Sequence, residues 1–121
     1  MDVRIATCVN LPEPDIDESL LLHALREKGI RATLAAWDDP HENWDTPTPT
    51  IIRSTWNYYL HHQDFIQWAK RLSSHAPLYN PFSIIQWNTH KGYLAQLEEQ
   101  KLNLIVTNAS KVFMIFQILE K

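Results

Sequence analysis

Glycine is nearly absent: the 121 residues contain two, Gly29 and Gly92. Loops of the P-loop or dinucleotide type need closely spaced glycines so that backbone can approach phosphate, and these two are far apart. Nucleotide binding by those routes is excluded. Cysteine occurs once, as Cys8, so no internal disulfide can form. The opening Met-Asp-Val-Arg has no basic segment leading into a long apolar one. Both features make a reducing cytoplasm the expected location. Long hydrophobic runs are missing too. The longest, at residues 112–119, holds Val112, Phe113, Met114, Ile115, Phe116, Ile118 and Leu119 but is interrupted by Gln117. It falls well short of the roughly 20 residues a spanning helix needs, so no membrane partner is expected. Clustered positive charge is also lacking: 11 Lys+Arg stand against 14 Asp+Glu, a net −3 with no basic stripe to follow a phosphate backbone. No nucleic-acid partner is expected.

With 45% apolar and 21% charged residues the chain has the composition of a folded globular protein, and its length suits one core. Val3-Arg4-Ile5-Ala6-Thr7-Cys8 is rich in β-branched residues and ends before Asn10 and two prolines, which predicts a strand running into a loop. Asp15 and Glu18 have capping-box-like spacing ahead of Leu21, Leu22, Ala24 and Leu25, and Gly29 supplies a stop. A helix is predicted over residues 16–28. A second strand follows at residues 31–37, completing a βαβ unit and predicting a parallel sheet. Residues 38–50, with Asp38, Asp39, Asp45 and prolines 40, 47 and 49, read as an exposed loop. Ile51-Ile52 begins a third strand. Phe65, Trp68, Ala69 and Leu72 then form one apolar stripe at helical spacing. Leu78-Tyr79 is a short fourth strand, Asn80-Pro81 opens a short helix with Ile84, Ile85 and Trp87, and another helix covers residues 90–100. A fifth strand is expected at residues 102–106. The predicted fold is α/β, a single Rossmann-like open, mainly parallel sheet of about five strands flanked by helices, over residues 1–107, with an apolar tail at 108–121.

Ligands of open parallel sheets bind beyond the carboxyl ends of the strands. Three polar groups should meet there: Asn10 with Glu13 and Asp15; Asp38 with Asp39; and Arg53-Ser54-Thr55-Trp56-Asn57-Tyr58. A guanidinium on the sheet rim has five donors to satisfy, and a carboxylate or phosphate matches its fork. An ion pair of Arg53 with Glu13 or Asp38 explains the same position, and both readings stay open. Asp38, Asp39, His41 and Glu42 match no zinc or hard-cation template, so no metal site is expected. His61-His62 suits capping of the second helix. Cys8 suits a small buried hydrophobe. Trp56 stands where it can shape a pocket, the other tryptophans reading as core or rim.

Arg53-Ser-Thr-Trp-Asn-Tyr, then Asn80-Pro81, then Trp87-Asn-Thr-His-Lys-Gly-Tyr-Leu94, in that order and spacing, resemble the leading domain of ATP-grasp ligases related to glutathione synthetase. The Ala6-Thr7-Cys8 strand, the acidic loop at residues 13–18 and the Trp37-Asp38-Asp39-Pro40 turn agree. The resemblance covers roughly residues 3–106. It implies a pre-ATP-grasp domain of Rossmann-like fold, from a family in which ATP and Mg²⁺ turn a carboxylate into an acyl phosphate that an amine or thiol displaces. By resemblance Glu13, Asp15, Arg53, Ser54 and Tyr58 face a small-molecule carboxylate substrate. Lys91 matches a lysine that in D-alanine:D-alanine ligases reaches a nucleotide phosphate, and a solvent-facing helical lysine is the other reading.

Asn57 departs from the acid many relatives carry after the tryptophan, which weakens any base or metal role there. Beyond Thr107 the expected Pro-Thr junction into the ATP-binding subdomains gives way to Asn108-Ala109 and a tail from about Ser110 unlike the family, as after a frame change or early stop. The expectation is an N-terminal fragment with no catalytic residues of its own, no cofactor bound by the isolated chain and no activity alone. The alternative is a stand-alone interaction domain that dimerises through residues 112–119.

Overall fold

A computed structural model describes residues 1–100. The chain divides into two compact units, Met1–Phe82 and one beginning at Ser83. The first unit holds β1 (Asp2–Thr7), α1 (Glu18–Glu27), β2 (Arg31–Ala36), β3 (Thr50–Ser54), a 3₁₀ turn at Tyr58–His61, α2 (His62–His75) and β4 (Leu78–Tyr79). These strands form one sheet in the order β2-β1-β3-β4, with every neighbouring pair parallel. The α/β parallel architecture is as the sequence predicts, with four strands among the described residues. The fifth strand expected at 102–106, and the tail with its dimer contact, lie outside those residues.

β1 is central, and Val3, Arg4, Ile5 and Ala6 are all buried. Consecutive burial, not alternation, marks a strand covered on both faces. Asp2–Thr7 runs in register with Arg31–Ala36 on one side. On the other, Arg4, Ile5 and Ala6 pair with Thr50, Ile51 and Ile52.

The first crossover is helical. α1 starts at Glu18, later than residue 16, after a turn in which Asp15 Oδ1 accepts the Asp17 N–H at 3.1 Å, as a cap would, while its Oδ2 accepts the Ser54 hydroxyl at 2.8 Å. At the other end the Ile30 N–H reaches the Leu25 carbonyl at 3.0 Å and the Gly29 N–H reaches that of Arg26 at 2.9 Å. This Schellman closure needs a residue in the left-handed region, and Gly29 has φ 74°.

The second connection is a loop. β2 and β3 lie on opposite sides of β1 and run parallel to it, so the chain must return along the sheet between them. Residues 37–49 make that return with neither helix nor strand, yet Trp37 and Trp44 are buried. Trp44 lies over the Arg4 guanidinium of β1, 4.5 Å from ring centroid to carbon, and Arg4 Nη2 donates to Thr46 Oγ1 at 2.5 Å. The segment is the loop the sequence predicts, with Trp44 buried as its anchor.

α2 closes the third connection, burying Phe65, Ala69 and Leu72, with Trp68 half-buried. Its aromatics meet the return segment edge-on: Trp37 on Phe65 and Trp44 on Trp68, both at 5.1 Å between centroids. Edge-to-face pairs of this kind add about 0.5–1.5 kcal/mol each beyond burial. Outside, Arg71 forks onto both oxygens of Asp45, and His75 Nε2 lies 3.4 Å from the same carboxylate. His61 takes the N-cap position of α2 without a side-chain cap bond, so capping is not the role of that histidine.

The boundary helix α3 (Phe82–Asn88) leads into the second unit, which also holds α4 (Tyr93–Glu99). There the Trp87 indole stacks 4.8 Å from Tyr93 and donates to Gln96 Oε1 at 2.6 Å. Among the described residues no helix is long and apolar enough to cross a membrane.

Candidate functional site

β3 carries an irregularity where it matters. Its register with β1 jumps from Ala6–Ile52 to Thr7–Ser54, so Arg53 is an extra residue with no partner across the ladder. A bulge kinks its strand and re-aims the side chain it carries, which is why bulges recur at binding sites. Here it leaves the Arg53 side chain 39% exposed while Ser54 beside it is fully buried.

Arg53 overlooks a cleft of about 360 Å³ bounded by Glu13, Pro14, Asp15, Ile16, Asp17 and Trp56. The loop after β1 supplies one wall and the end of β3 the other, the carboxyl edge of the sheet where such folds place ligands. Arg53 Nε stands 3.6 Å from Asp15 Oδ2 and its Nη2 stands 3.8 Å from Asp17 Oδ2. Both distances exceed hydrogen-bond length, so the guanidinium is attracted but not engaged. Among the described residues no hydrogen bond occupies its donors. The partners expected for a purely structural pairing were Glu13 or Asp38; they are instead Asp15 and Asp17.

Asp15 is fixed. The Ser54 hydroxyl, then the Asp17 N–H, the Arg53 charge and the Glu18 N–H hold its carboxyl below the usual carboxylate range, against the opposing effect of burial. Asp15 is therefore a permanent anion at neutral pH. Trp56, 37% exposed, offers an indole face, and Ile16, 81% exposed, offers an apolar edge.

Of the residues expected to face substrate, Glu13, Asp15 and Arg53 line this cleft, and Ser54 supports it through Asp15. Tyr58 is not among the lining residues: its ring packs 5.5 Å from Phe65. Lys91 lies in the second unit, its ammonium 5.6 Å from the Tyr93 ring centre. Asp17 and Ile16 were missed as site residues. The acidic loop at 13–18 was the one signal for them, and spacing alone could not tell which of its members turn inward.

The second polar group builds a ring of hydrogen bonds. Asp38 Oδ1 accepts the Val9 N–H at 2.8 Å and Oδ2 accepts Asn57 Nδ2 at 2.7 Å, while Asn57 Oδ1 accepts the Trp37 indole N–H at 2.8 Å. Asp39 Oδ1 accepts the His41 N–H at 2.8 Å. These carboxylates shape loops, and among the described residues no three His, Cys, Asp or Glu side chains group as metal ligands. Cys8 is buried, its thiol 3.6 Å from the Asn10 carbonyl.

A family model described as the N-terminal domain of the D-cycloserine synthetase DcsG matches residues 3–80. That span takes in the whole cleft and the Asp38–Asn57 ring. The cycloserine biosynthesis protein DcsG of Streptomyces lavendulae is 30% identical over 103 residues, which is 85% of this chain and 34% of the relative. The crystal structure of D-cycloserine synthetase DcsG is similar with a TM-score of 0.78 at 27% identity, covering 87% of this chain and 35% of that one. The chain thus spans about a third of the length of the relatives it matches. With a family model covering most of the sheet, and sequence and fold agreeing on the same relative, the chain belongs to the family of the D-cycloserine synthetase DcsG N-terminal domain.

Proposed function

We propose that this chain is the substrate-side N-terminal domain of a ligase-like protein of the ATP-grasp class, and that alone it binds a small ligand without transforming it. The observation that carries the reading is Arg53, pushed out of the ladder by a bulge over a cleft and left without a hydrogen bond among the described residues. Its fork suits a carboxylate. Three carboxylates, Glu13, Asp15 and Asp17, share the cleft with this one cation. A ligand carrying both a carboxylate and an ammonium, or a comparable acid and base pair, balances that arrangement, with Trp56 and Ile16 against its apolar part.

ATP and Mg²⁺ belong to the parent class, and neither is assigned to the isolated chain. No step is routed through nucleotide here. In the proposed parent protein, phosphoryl transfer falls to the part of the relatives this chain does not span. The chain's own contribution is orientation: Arg53 and the exposed Asp17 meet the two charged ends of the ligand, while Asp15, hydrogen-bonded through both oxygens, holds the wall between them.

Titration of the ¹⁵N-labelled chain with D-cycloserine, the compound for which the relatives are named, and separately with D-serine, tests the reading. Saturable shifts of the Arg53 Nε–H and the Trp56 indole N–H, on the order of millimolar affinity, are expected and should vanish in Arg53→Ala. Arg53→Lys should also weaken binding, because an ammonium lacks the planar fork. Shifts confined to other residues, or binding unaffected by Arg53→Ala, would remove the cleft as the ligand site. Saturable Mg-ATP binding by the isolated chain would overturn the assignment of nucleotide to the part of the relatives that this chain does not span.

A further inference from the structure

The Asp38–Asn57 ring lies at the same edge of the sheet as the cleft but does not line it, and the proposed function makes no use of it. Its members come from three places: Val9 just after β1, Trp37 and Asp38 just after β2, and Asn57 three residues beyond the end of β3. The two cleft residues of the β3 end, Arg53 and Trp56, are followed at once by Asn57. On the near side Ser54 is tied to Asp15. Between Ser54 and Asn57 the chain is therefore held at two points, and Trp56 sits inside that span.

The ring has a fixed polarity. An indole N–H can only donate, so Asn57 must turn its Oδ1 to Trp37. That leaves Nδ2 facing Asp38, whose second oxygen is occupied by the Val9 N–H. Each group has one orientation that satisfies all three bonds, and Trp37, 7% exposed, cannot take water as a substitute for its partner. The departure from an acid at residue 57 then has a physical reason: an aspartate there would set a second carboxylate at hydrogen-bond distance from Asp38.

We infer that Asn57 is a positioning residue, whose amide, locked between Trp37 and Asp38, holds Trp56 and Arg53 in the geometry of the ligand cleft. The inference rests on the assignment of that cleft as the ligand site; the ring's effect on side-chain order can be read with no ligand present.

Single and double substitutions in the full chain separate this from general stabilisation. Asn57→Asp places like charges together. Asp38→Asn sets amide donor against amide donor, and any flip that relieves the clash breaks the bond to Trp37 or to Val9. The double variant D38N/N57D restores all three bonds with one of them reversed. The new amide at position 38 accepts from the Val9 N–H and donates to the new carboxylate at position 57, which in turn accepts from the Trp37 indole. In each single variant one of the bonds from Trp37 and Val9 is given up, so hydrogen exchange at the Trp37 indole or at the Val9 amide should accelerate by about tenfold, as expected for a lost hydrogen bond. The ¹⁵N order parameters of the Trp56 indole and the Arg53 Nε should fall in both. In the double variant all three readouts should return to wild-type values, and so should D-cycloserine affinity where the wild type binds it. Global stability is followed in parallel by urea unfolding. Wild-type order at Trp56 and Arg53 in a folded Asn57→Asp chain would overturn the inference. So would a double variant that stays disordered or unfolded, since it carries every bond the inference requires. A wild type that binds no probe, with the order readouts behaving as stated, would fault the ligand assignment and leave the positioning intact.

Discussion

Replacing Trp44 by alanine tests whether this one buried side chain anchors the loop at residues 37–49. Trp44 is 8% exposed, meets Trp68 edge-on at 5.1 Å and covers the Arg4 guanidinium at 4.5 Å. Truncating a buried Trp to Ala costs about 3–5 kcal/mol, and a site on a connecting segment that can partly collapse belongs at the low end. Arg4 offsets part of the loss. Burial lowers its pKa, which means its charge is held at a desolvation cost, and removing the indole returns water to it. About 3 kcal/mol is therefore expected, a large part of the 5–15 kcal/mol that stabilises a typical domain. At about 4–8 °C per kcal/mol for a domain of this size, the melting midpoint should fall by roughly 12–24 °C. Trp44→Phe should cost only about 1 kcal/mol, because it keeps the edge contact and because the Trp44 indole nitrogen has no hydrogen-bond partner to lose among the described residues. Urea unfolding at neutral pH, followed by far-UV circular dichroism, measures both. A Trp44→Ala chain within about 0.5 kcal/mol of wild type, the range of ordinary surface changes, would refute the anchoring role of Trp44.

Ser54→Ala should raise the Asp15 pKa toward the ordinary carboxylate value, read by ¹³C titration of its carboxyl group; an unchanged titration would contradict the ranking of the hydroxyl as the leading cause. Because the folded-state value is depressed, the stability Asp15 contributes is present above the unfolded carboxylate pKa and lost as pH falls through the folded one, so Ser54→Ala should flatten the acid limb of the stability profile. Leu72→Ala, at a fully buried site on α2, should cost about 2–5 kcal/mol in urea unfolding. Gly29→Ala should cost about 1 kcal/mol, from backbone alone, since nothing lies within 4 Å of the added carbon. Arg71→Ala should leave the unfolding midpoint unmoved within error despite its fork onto Asp45, because both side chains are exposed and solvent screens them.

Local pattern was enough for most of the sheet. The β-branched run at β1, the stripe of Phe65, Ala69 and Leu72, the stop at Gly29 and the pair Leu78-Tyr79 each depend on neighbours a few residues away, and each stands where the pattern puts it. The return segment is a loop, as its composition says, but the partners that seat Trp44 were not legible for the opposite reason. Prolines 40, 47 and 49 and three aspartates give it the composition of a solvated loop, and the seat of Trp44 depends on Arg4, which is far away in sequence. At the start of α1 Asp15 does what its spacing to Glu18 suggests, accepting the Asp17 N–H, but the use of its other oxygen by Ser54, 39 residues on, was invisible to local pattern.

The site divides along that line as well. Arg53 was legible as a residue to watch because a guanidinium at a strand end has five donors to satisfy, by an ion pair or by a ligand; it lies over a cleft with Asp15 and Asp17 close by. The bulge that aims it was not, since a register shift is a property of two strands. Tyr58 was assigned to the ligand side by its place in the Arg53-Ser-Thr-Trp-Asn-Tyr run, whereas the 3₁₀ turn beginning at that residue carries its ring to Phe65. Asn57 is the sharpest case. Taken alone it reads as the loss of an acid, a negative statement about catalysis. Beside Trp37, which can only donate, and Asp38, already holding the Val9 N–H, the same amide becomes the side chain with both the donor and the acceptor that the two neighbours require. What a residue lacks for one chemistry can be what another contact demands, and only the partners decide which description applies.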